Sequence, residues 1–473
     1  MPSQRIQFQE WTPDQPDTAT LIDAKNVFPA AVGYAPFPTA DEYSNAASEN
    51  LNNFIVGKFG DDINVFAGGT TKLFQLDSAS LDLDDVSKSG GYTSSHTWQF
   101  IQYGSVILGA NGNSKIQAWT LGTSTAFADV SADAPIATYL AVVKDFVVGT
   151  HIGGVNNKIA WSDINDETNW TSGTTSQADY QILPDGGDLV GISGGEFGLV
   201  FLEKAIYRMT YVGSPLFFQF DAISRGLGCL EGSSIAQYGA TTYFLADDGF
   251  YSCDGQSVVG IGTEKVDRFF FDDVSLSDLE TMSTAVDPIK NLVIWNYKNT
   301  SGNRALLIYN WQLQKWSRGI TIADTIGTIA TLTTGLDDLD TLYPSLDAMT
   351  ISLDDRVFVG GKFLFAGLRA DKIVTFTGQN TSAELITPDI EVGYNSVITL
   401  VRPQIQDGTA NIQIASRRTQ SDNVQFGSIV SSDDEDRVSV RSAGRYHRIK
   451  VIPTGNWTQA LAVDVEVKPQ GGR

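Results

Sequence analysis

The stretch "GSVILGANGNSKIQAW", residues 104–119, has the pattern that decides the fold. An apolar segment is followed by Gly, Asn and Ser, and then by a second apolar segment that ends in an aromatic residue. Gly and Asn accept the backbone angles that a tight reversal needs, so this order is typical of a β-hairpin. The stretch therefore predicts two antiparallel strands.

The same pattern recurs along the chain, most clearly as "DFVVGTHIGGVNNKIAW" at 145–161. The other copies lie at 63–76, 198–212, 241–253, 291–311 and 360–376. Successive turns are about 42 to 52 residues apart, and only the last step, about 68 residues, is longer. Such a period, with two visible strands per unit and room for two more, is typical of β-propeller blades. We predict an all-β chain with a β-propeller of about seven blades, six being possible. The alternative is an assortment of β-sandwich hairpins.

The extra length before the last hairpin coincides with "TTGLDDLDTLYPSLDAMTISLDDRVF" at 333–358. Its leucines have helical spacing, but Pro344 excludes one long helix. We predict an insertion at about 331–356, with its leucines packed on the propeller or on a neighbouring subunit. A calcium site is the alternative, although the spacing lacks the D-x-D-x-D-G pattern of known calcium loops. Its carboxylates would be Asp337, Asp338, Asp340, Asp347, Asp354 and Asp355.

Composition divides the chain into three parts. Residues 1–45 contain six prolines and little strand pattern, which predicts an extended N-terminal arm on the chain's own surface or a partner's. Deleting this arm is expected to impair assembly more than folding. Residues 46–378 form the predicted propeller. Residues 379–473 alternate between apolar and polar side chains, as half-buried antiparallel strands do, and predict a C-terminal β-sandwich.

The acidic charge of the chain bears on its partners. The formal net charge is −23, and residues 1–380 hold 44 acidic against 22 basic residues. Nucleic-acid affinity depends largely on Lys and Arg, so a nucleic-acid-binding function is disfavoured. A surface along which DNA slides without adhering remains compatible with this charge.

Cysteine content and hydropathy bear on the compartment. Cys229 and Cys253 are too few for a disulfide framework and fit a reducing cytoplasm. The first residues contain no apolar signal core, and no run of 18 apolar residues occurs. We therefore expect neither a membrane span nor secretion by the common route.

The sequence holds no pattern of catalytic or metal-binding residues. His96, His151 and His447 each lack a second ligand or catalytic partner nearby in sequence, and His447 shares a strand face with Ile449 and Val451, which predicts a hydrogen-bonded core histidine. No nucleotide-binding, hydrolase or zinc motif is present. We predict a chain that is not an enzyme, with no catalytic, cofactor or metal residues.

A carbohydrate-active propeller enzyme is the main alternative, because glycosidases can place carboxylates at a propeller axis. "WSDINDETNW" (161–170) and "LADDGFYSCDG" (245–255) contain parts of the S-x-D-x-G-x-x-W loop of sialidases, but at the wrong separations. Turn formation explains both stretches. The basic run "RVSVRSAGRYHRIK" (437–450) is interpreted as a solvated strand or a contact with an acidic neighbour rather than a nucleic-acid patch.

Three stretches resemble structural proteins of tailed bacteriophages. They are "LIDAKNVFPAAVGYAPFP" (21–38), "KIAWSDINDETNWTSGTTSQADYQILPDGGDLVGISG" (158–194) and "GRYHRIKVIPTGNWTQALAVDVEVKPQGGR" (444–473). The chain is similar to the tail hub or nozzle proteins of short-tailed phages, also called packaged-DNA stabilisation or head-completion proteins.

The resemblance implies a structural virion protein assembled in the host cytoplasm. It implies a homo-oligomeric ring, expected to be a hexamer, below the portal and adaptor proteins at the tail. The ring would extend the DNA channel, help retain packaged DNA and anchor needle, fibre or spike proteins. Double-stranded DNA would pass without sequence-specific binding, and no integral membrane association is implied. A receptor-binding tail protein is a further alternative.

Overall fold

The computed structural model describes residues 3–15, 19–60, 62–93, 96–330 and 363–470. The predicted insertion at 331–356, with the aspartates of the calcium alternative, lies outside these residues. The regular secondary structure of the described residues is almost entirely β. One α-helix spans Asp267–Asp273, and three short 3₁₀ turns span Ile152–Gly154, Gly232–Ser234 and Leu276–Thr281.

All seven predicted hairpins are present, each as the second and third strands of a four-stranded antiparallel unit. We number these units blades 1 to 7 in chain order. Blades 1 to 3 consist of Leu51–Phe59, Asp62–Gly69, Leu73–Leu76 and Leu83–Asp85; Gln99–Tyr103, Val106–Ala110, Gln117–Thr120 and Ala128–Asp129; and Tyr139–Val143, Phe146–Thr150, Lys158–Trp161 and Asp179–Ile182. Blades 4 and 5 consist of Leu189–Ser193, Gly198–Leu202, Ala205–Gly213 and Phe217–Arg225; and Ala236–Tyr238, Thr241–Leu245, Phe250–Cys253 and Val258–Gly260. Blades 6 and 7 consist of Ser283–Asp287, Leu292–Lys298, Arg304–Asn310 and Lys315–Ile320; and Thr325–Ala330, Phe363–Arg369, Lys372–Thr375 and the N-terminal strand Asp41–Glu42.

The blades form a closed β-propeller. Six of them are separate four-stranded sheets, and blade 6 is the edge of a much larger sheet. The first strands of blades 7 and 1 contact each other, which closes the ring. Asp41–Glu42 supplies the outermost strand of blade 7 by pairing with Lys372–Thr375. The prediction of a propeller is confirmed.

The central strands of the blades are apolar on both faces because each blade is packed between two neighbours. In Leu292–Lys298 every residue but the last is buried. Burying a large aliphatic or aromatic side chain contributes about 1.5–3 kcal/mol, so these strands dominate the stability of the ring.

The N-terminal segment departs from the predicted arm. Its described residues include the strands Ser3–Gln7, Asp23–Lys25, Val27–Pro29 and Tyr34–Pro36, and its side chains Trp11, Leu21 and Phe37 are at most 1% exposed. The segment is thus part of the chain's own core. Because deletion would expose this buried surface, the structure favours an effect of deletion on folding over the predicted effect on assembly.

The C-terminal strands are joined to blade 6. They are Glu384–Ile386, Ile390–Gln406, Thr409–Arg417, Val430–Ser431, Val438–Thr454 and Gln459–Pro469. Asp23–Lys25 bridges them to blade 6 by pairing with Lys315–Ile320 on one side and with Glu384–Ile386 on the other. The apolar side chains that alternate with polar ones in this region are buried at Val463 and Val465. The predicted C-terminal domain is therefore all-β, but its strands share one continuous 14-stranded sheet with blade 6 of the propeller.

No helix among the described residues is long and apolar enough to cross a membrane.

Candidate functional site

A large cavity, which we call the axial cavity, lies where the first strands of blades 1 to 5 converge. Its volume is about 860 Å³, and aliphatic side chains such as Ile55, Leu140 and Ile192 line much of it. Of the described residues that line it, Lys144 and Glu196 are the charged ones. Glycosidases of the predicted alternative use a pair of carboxyl groups. The described lining of this cavity supplies one.

Two glutamine side chains join neighbouring blades beside this cavity. Gln102 of blade 2 donates from Nε2 to the carbonyl oxygen of Lys58 in blade 1 at 2.7 Å, and its Oε1 accepts from the Lys58 N–H at 3.0 Å. Gln237 of blade 5 makes the same pair of bonds to Gly194, next to blade 4, at 2.5 and 3.2 Å. Each amide therefore makes the two hydrogen bonds that a backbone residue of a neighbouring strand would make.

The sequence carries a signal for these glutamines that hairpin analysis missed. Both begin the tripeptide Gln-Tyr-Gly, at 102–104 and 237–239. The glycines Gly104 and Gly239 have φ angles of 56° and 61°, which a side chain disfavours, and their carbonyl oxygens accept a further bond from the same Gln Nε2. The tripeptide places an amide at the inner turn of a blade.

The three histidines occupy different places. His447 is fully buried, with Nε2 2.8 Å from the Ser396 hydroxyl and Nδ1 2.7 Å from the Ser416 hydroxyl, as predicted for a hydrogen-bonded core histidine. Burial lowers the pKa of His447. Burial also lowers the pKa of His151, and the nearby charge of His96 contributes in the same direction. Among the described residues, no three His, Cys, Asp or Glu side chains form a group that could hold a metal ion.

Both cysteines are buried free thiols. Burial raises the pKa of Cys229 to about 12, so this thiol stays protonated and unreactive near neutral pH.

Asp267 is the carboxyl group with the most unusual environment. It is 9% exposed at the start of the helix, and its Oδ1 accepts from the Phe250 N–H at 3.0 Å. Burial raises its pKa to about 7, and the charges of Asp14 and Asp248 act in the same direction. The group bonds to the start of the third strand of blade 5 and is not among the described residues that line the axial cavity.

The stretches that resemble sialidase loops have structural roles. In 161–170, the Asp163 carboxylate accepts from the Gln177 N–H at 2.8 Å, and the Asp166 carboxylate accepts from the Thr168 N–H at 2.9 Å. In 245–255, Asp248 accepts from the Tyr251 hydroxyl. These carboxylates stabilise turns, as the sequence indicated.

The basic run at 437–450 is neutralised within the chain. Four of its five basic side chains form ion pairs, and these join Arg437 to Asp433, Arg445 to Glu391, Arg448 to Asp389 and Lys450 to Glu384. Little of its charge remains for a phosphate backbone.

The outermost strands of the blades differ in character. Those of blades 1, 2 and 7 end in carboxylates, at Asp85, Asp129 and Glu42. In blade 3 the outermost strand instead exposes Tyr180 at 51% and Ile182 at 47%. Charged side chains on an edge strand discourage pairing with other chains, whereas an apolar edge favours contact. The outermost strand of blade 5 exposes one large apolar side chain, Val259, at 56%, whereas blade 3 exposes two. We therefore take blade 3 as the candidate interaction surface and call it the apolar edge (Tyr180 and Ile182).

No family model matches the chain, and no curated protein matches it. Among solved structures, the chain is similar to the computationally designed Ika8 protein, with 12% identity, a TM-score of 0.38, and coverage of 72% of this chain and 98% of that one. It is also similar to the Pan2 WD40 domain of Neurospora crassa, with 7% identity, a TM-score of 0.39, and coverage of 70% of this chain and 90% of that one. These similarities say nothing about activity.

Proposed function

We propose that the chain is a structural subunit of a bacteriophage virion, forming a homo-oligomeric tail hub or nozzle ring below the portal and adaptor proteins. In this function the subunit acts through its contacts and not through catalysis. The ring extends the DNA channel, helps to retain packaged DNA and anchors other tail proteins.

The apolar edge of blade 3 is the observation that carries the proposal. A ring with rotational symmetry uses heterologous contacts, in which one face of each subunit meets a different face of the next. The blade edges of this chain differ from one another. The outermost strand of blade 3 exposes Tyr180 and Ile182, whereas those of blades 1, 2 and 7 end in carboxylates that form ion pairs with lysines. The resemblance of 21–38, 158–194 and 444–473 to tail hub proteins supplies the biological setting.

Charge supports passage of DNA rather than its binding. A net charge of −23 repels a polyanion, and the basic run at 437–450 is largely paired with carboxylates. The composition of the axial cavity favours this proposal over a glycosidase, because its charged lining residues are Lys144 and Glu196 rather than a pair of carboxylates.

The proposal is tested by the oligomeric state of the purified chain and by its position in particles. Light scattering after gel filtration should give a closed ring, and electron microscopy of the virion should place the chain below the portal. Ile182→Lys should shift the ring toward monomer, because it puts a charge into a packed apolar contact.

Val32→Lys is the matched control, because Val32 is 55% exposed and far from blade 3 in sequence. It should leave the ring intact. A parent protein that stays monomeric at high concentration and is absent from particles contradicts the proposal.

A further inference from the structure

A second cavity lies between the outer parts of blades 4 and 5. It has a volume of about 430 Å³, which is enough for a small ligand. It is formed by one face of the hairpin of Ala205–Gly213 and Phe217–Arg225, together with the turn that contains Gly255 and Gln256. The strand register explains its composition, because Arg208 lies opposite Asp221, and Thr210 lies opposite Gln219.

Among the residues that the structure describes, no carboxylate forms an ion pair with Arg208 in this cleft. Its guanidinium carbon is 4.4 Å from the ring centroid of Phe197, and one nitrogen donates a long bond of 3.4 Å to the Gly255 carbonyl oxygen. Its Nε is buried and has no hydrogen-bond partner in the described part of the chain. By contrast, Arg225 at the end of the same hairpin pairs with Asp185 at 3.0 Å.

The other polar groups of the cleft offer both donors and acceptors. Gln219 donates to both carboxylate oxygens of Asp221, at 2.9 and 3.0 Å. These bonds hold the carboxylate in place, where it can also accept from a ligand. Neither Thr210 nor Gln256 uses its side chain in a hydrogen bond to any residue that the structure describes. Val212, 48% exposed, adds an apolar surface.

We propose that this cleft, with Arg208, Asp221, Thr210 and Gln256, is a binding site for a neutral saccharide. Vicinal hydroxyls of a sugar each donate and accept, so one can accept from a guanidinium while its neighbour donates to a carboxylate. An anionic ligand fits less well, because the Asp221 carboxylate and the acidic surface oppose it. The inference does not rest on the virion function, and it holds for the subunit alone.

The test uses the full chain on an array of neutral oligosaccharides (hexose and N-acetylhexosamine) and acidic ones (uronic and sialic acid). We expect the parent protein to bind neutral members. Arg208→Gln should weaken that binding roughly tenfold or more, as loss of a hydrogen bond to a charged group does. Arg225→Gln is the matched control, because it removes an exposed guanidinium of the same hairpin outside the cleft, and it should bind like the parent.

Thr210→Val combined with Gln256→Ala gives a second variant that removes no bond within the described protein, so it tests the site even if Arg208→Gln does not fold. Its thermal melting should match that of the parent, and its binding should fall. Absence of binding to every array member, binding to acidic members alone, or binding unchanged in both cleft variants would each overturn the proposal.

Discussion

Gln102 and Gln237 show how single side chains fasten one blade of the propeller to the next. Each amide bonds to both the N–H and the C=O of one residue in the preceding blade, so it replaces two backbone bonds across a seam that contains no shared strand ladder. Such hydrogen bonds contribute modestly to the free energy of unfolding where water can compete for the same groups.

We predict that Gln102→Ala lowers the free energy of unfolding by about 1 kcal/mol, because the two backbone groups of Lys58 lose a partner that water only partly replaces. Urea denaturation measures this change. Gln181→Ala is the control, since the side-chain bond of Gln181 to a described residue stays within its own exposed strand, at the Ile182 carbonyl. Equal effects of the two substitutions would contradict the bridging function.

The raised pKa of Asp267 indicates how the free energy of unfolding depends on pH. Its folded pKa, about 7, lies above the ordinary value of 3.8, so between these values the folded chain binds a proton that the unfolded chain releases. Its contribution therefore favours folding at low pH and is lost as pH rises toward 7. Asp267→Asn keeps an acceptor for the Phe250 N–H without a charge.

We expect Asp267→Asn to stabilise the protein at pH 8 and to flatten the stability profile between pH 4 and 7. Solvent screening should keep the gain below the roughly 1.4 kcal/mol per pKa unit that full conversion would give. Thermal melting across this range measures the effect. Asp272→Asn, in the same helix but exposed, should change little. A parent profile that rises steadily from pH 4 to 8 and is unaltered by Asp267→Asn would refute this expectation.

Residue environments were predictable only where local sequence decides them. His447 alternates with Ile449 and Val451 on one strand face, which was enough to predict its burial. The environment of Asp267 depends on Asp14, about 250 residues away, whose carboxylate accepts from the N–H groups of Arg268 and Phe269. No local pattern reports such a neighbour.

At the scale of elements, the N-terminal segment behaves as part of the core. The Trp11 indole donates to the Ile22 carbonyl oxygen at 3.2 Å and meets the Phe269 ring edge-on at 5.1 Å. We predict that Trp11→Ala costs about 3–5 kcal/mol of stability, as removal of a large buried aromatic does. Val32→Ala, at an exposed position in the same segment, should stay within about 0.5 kcal/mol.

Chemical denaturation of both variants compares these positions directly. Removal of residues 1–40 should abolish soluble protein altogether. Soluble, folded protein without these residues would show that the segment only covers a finished domain.

The hairpins could be predicted because their two strands are neighbours in sequence, and every one of the seven is found. The fourth strand of blade 7 could not, because Asp41–Glu42 pairs with residues more than 300 positions away. The bridging strand Asp23–Lys25 could not be predicted either, because its partners are also distant in sequence and its three residues show no apolar alternation. Hydrophobic periodicity reports which face is buried but not which strand is its partner.

At the scale of the whole molecule, the excess negative charge opposes the contacts that the apolar edge favours. Raising NaCl from about 0.05 to 0.5 M shortens the reach of this repulsion, so the fraction of protein in the proposed ring should increase with salt. Light scattering across the salt series measures this, and Ile182→Lys should respond less than the parent. A ring that dissociates as salt rises would show that opposite charges, rather than apolar groups, hold the copies together.

The strand Asp41–Glu42 also determines when the propeller can close during synthesis. These residues leave the ribosome long before Lys372–Thr375 exist, so the nascent chain carries an unmatched strand and several large apolar side chains through most of translation. Blades can form one after another behind it, but the circle cannot shut until the final hairpin emerges. A circular permutant that moves the opening segment to the end of the chain should therefore shorten the interval during which the polypeptide depends on chaperones.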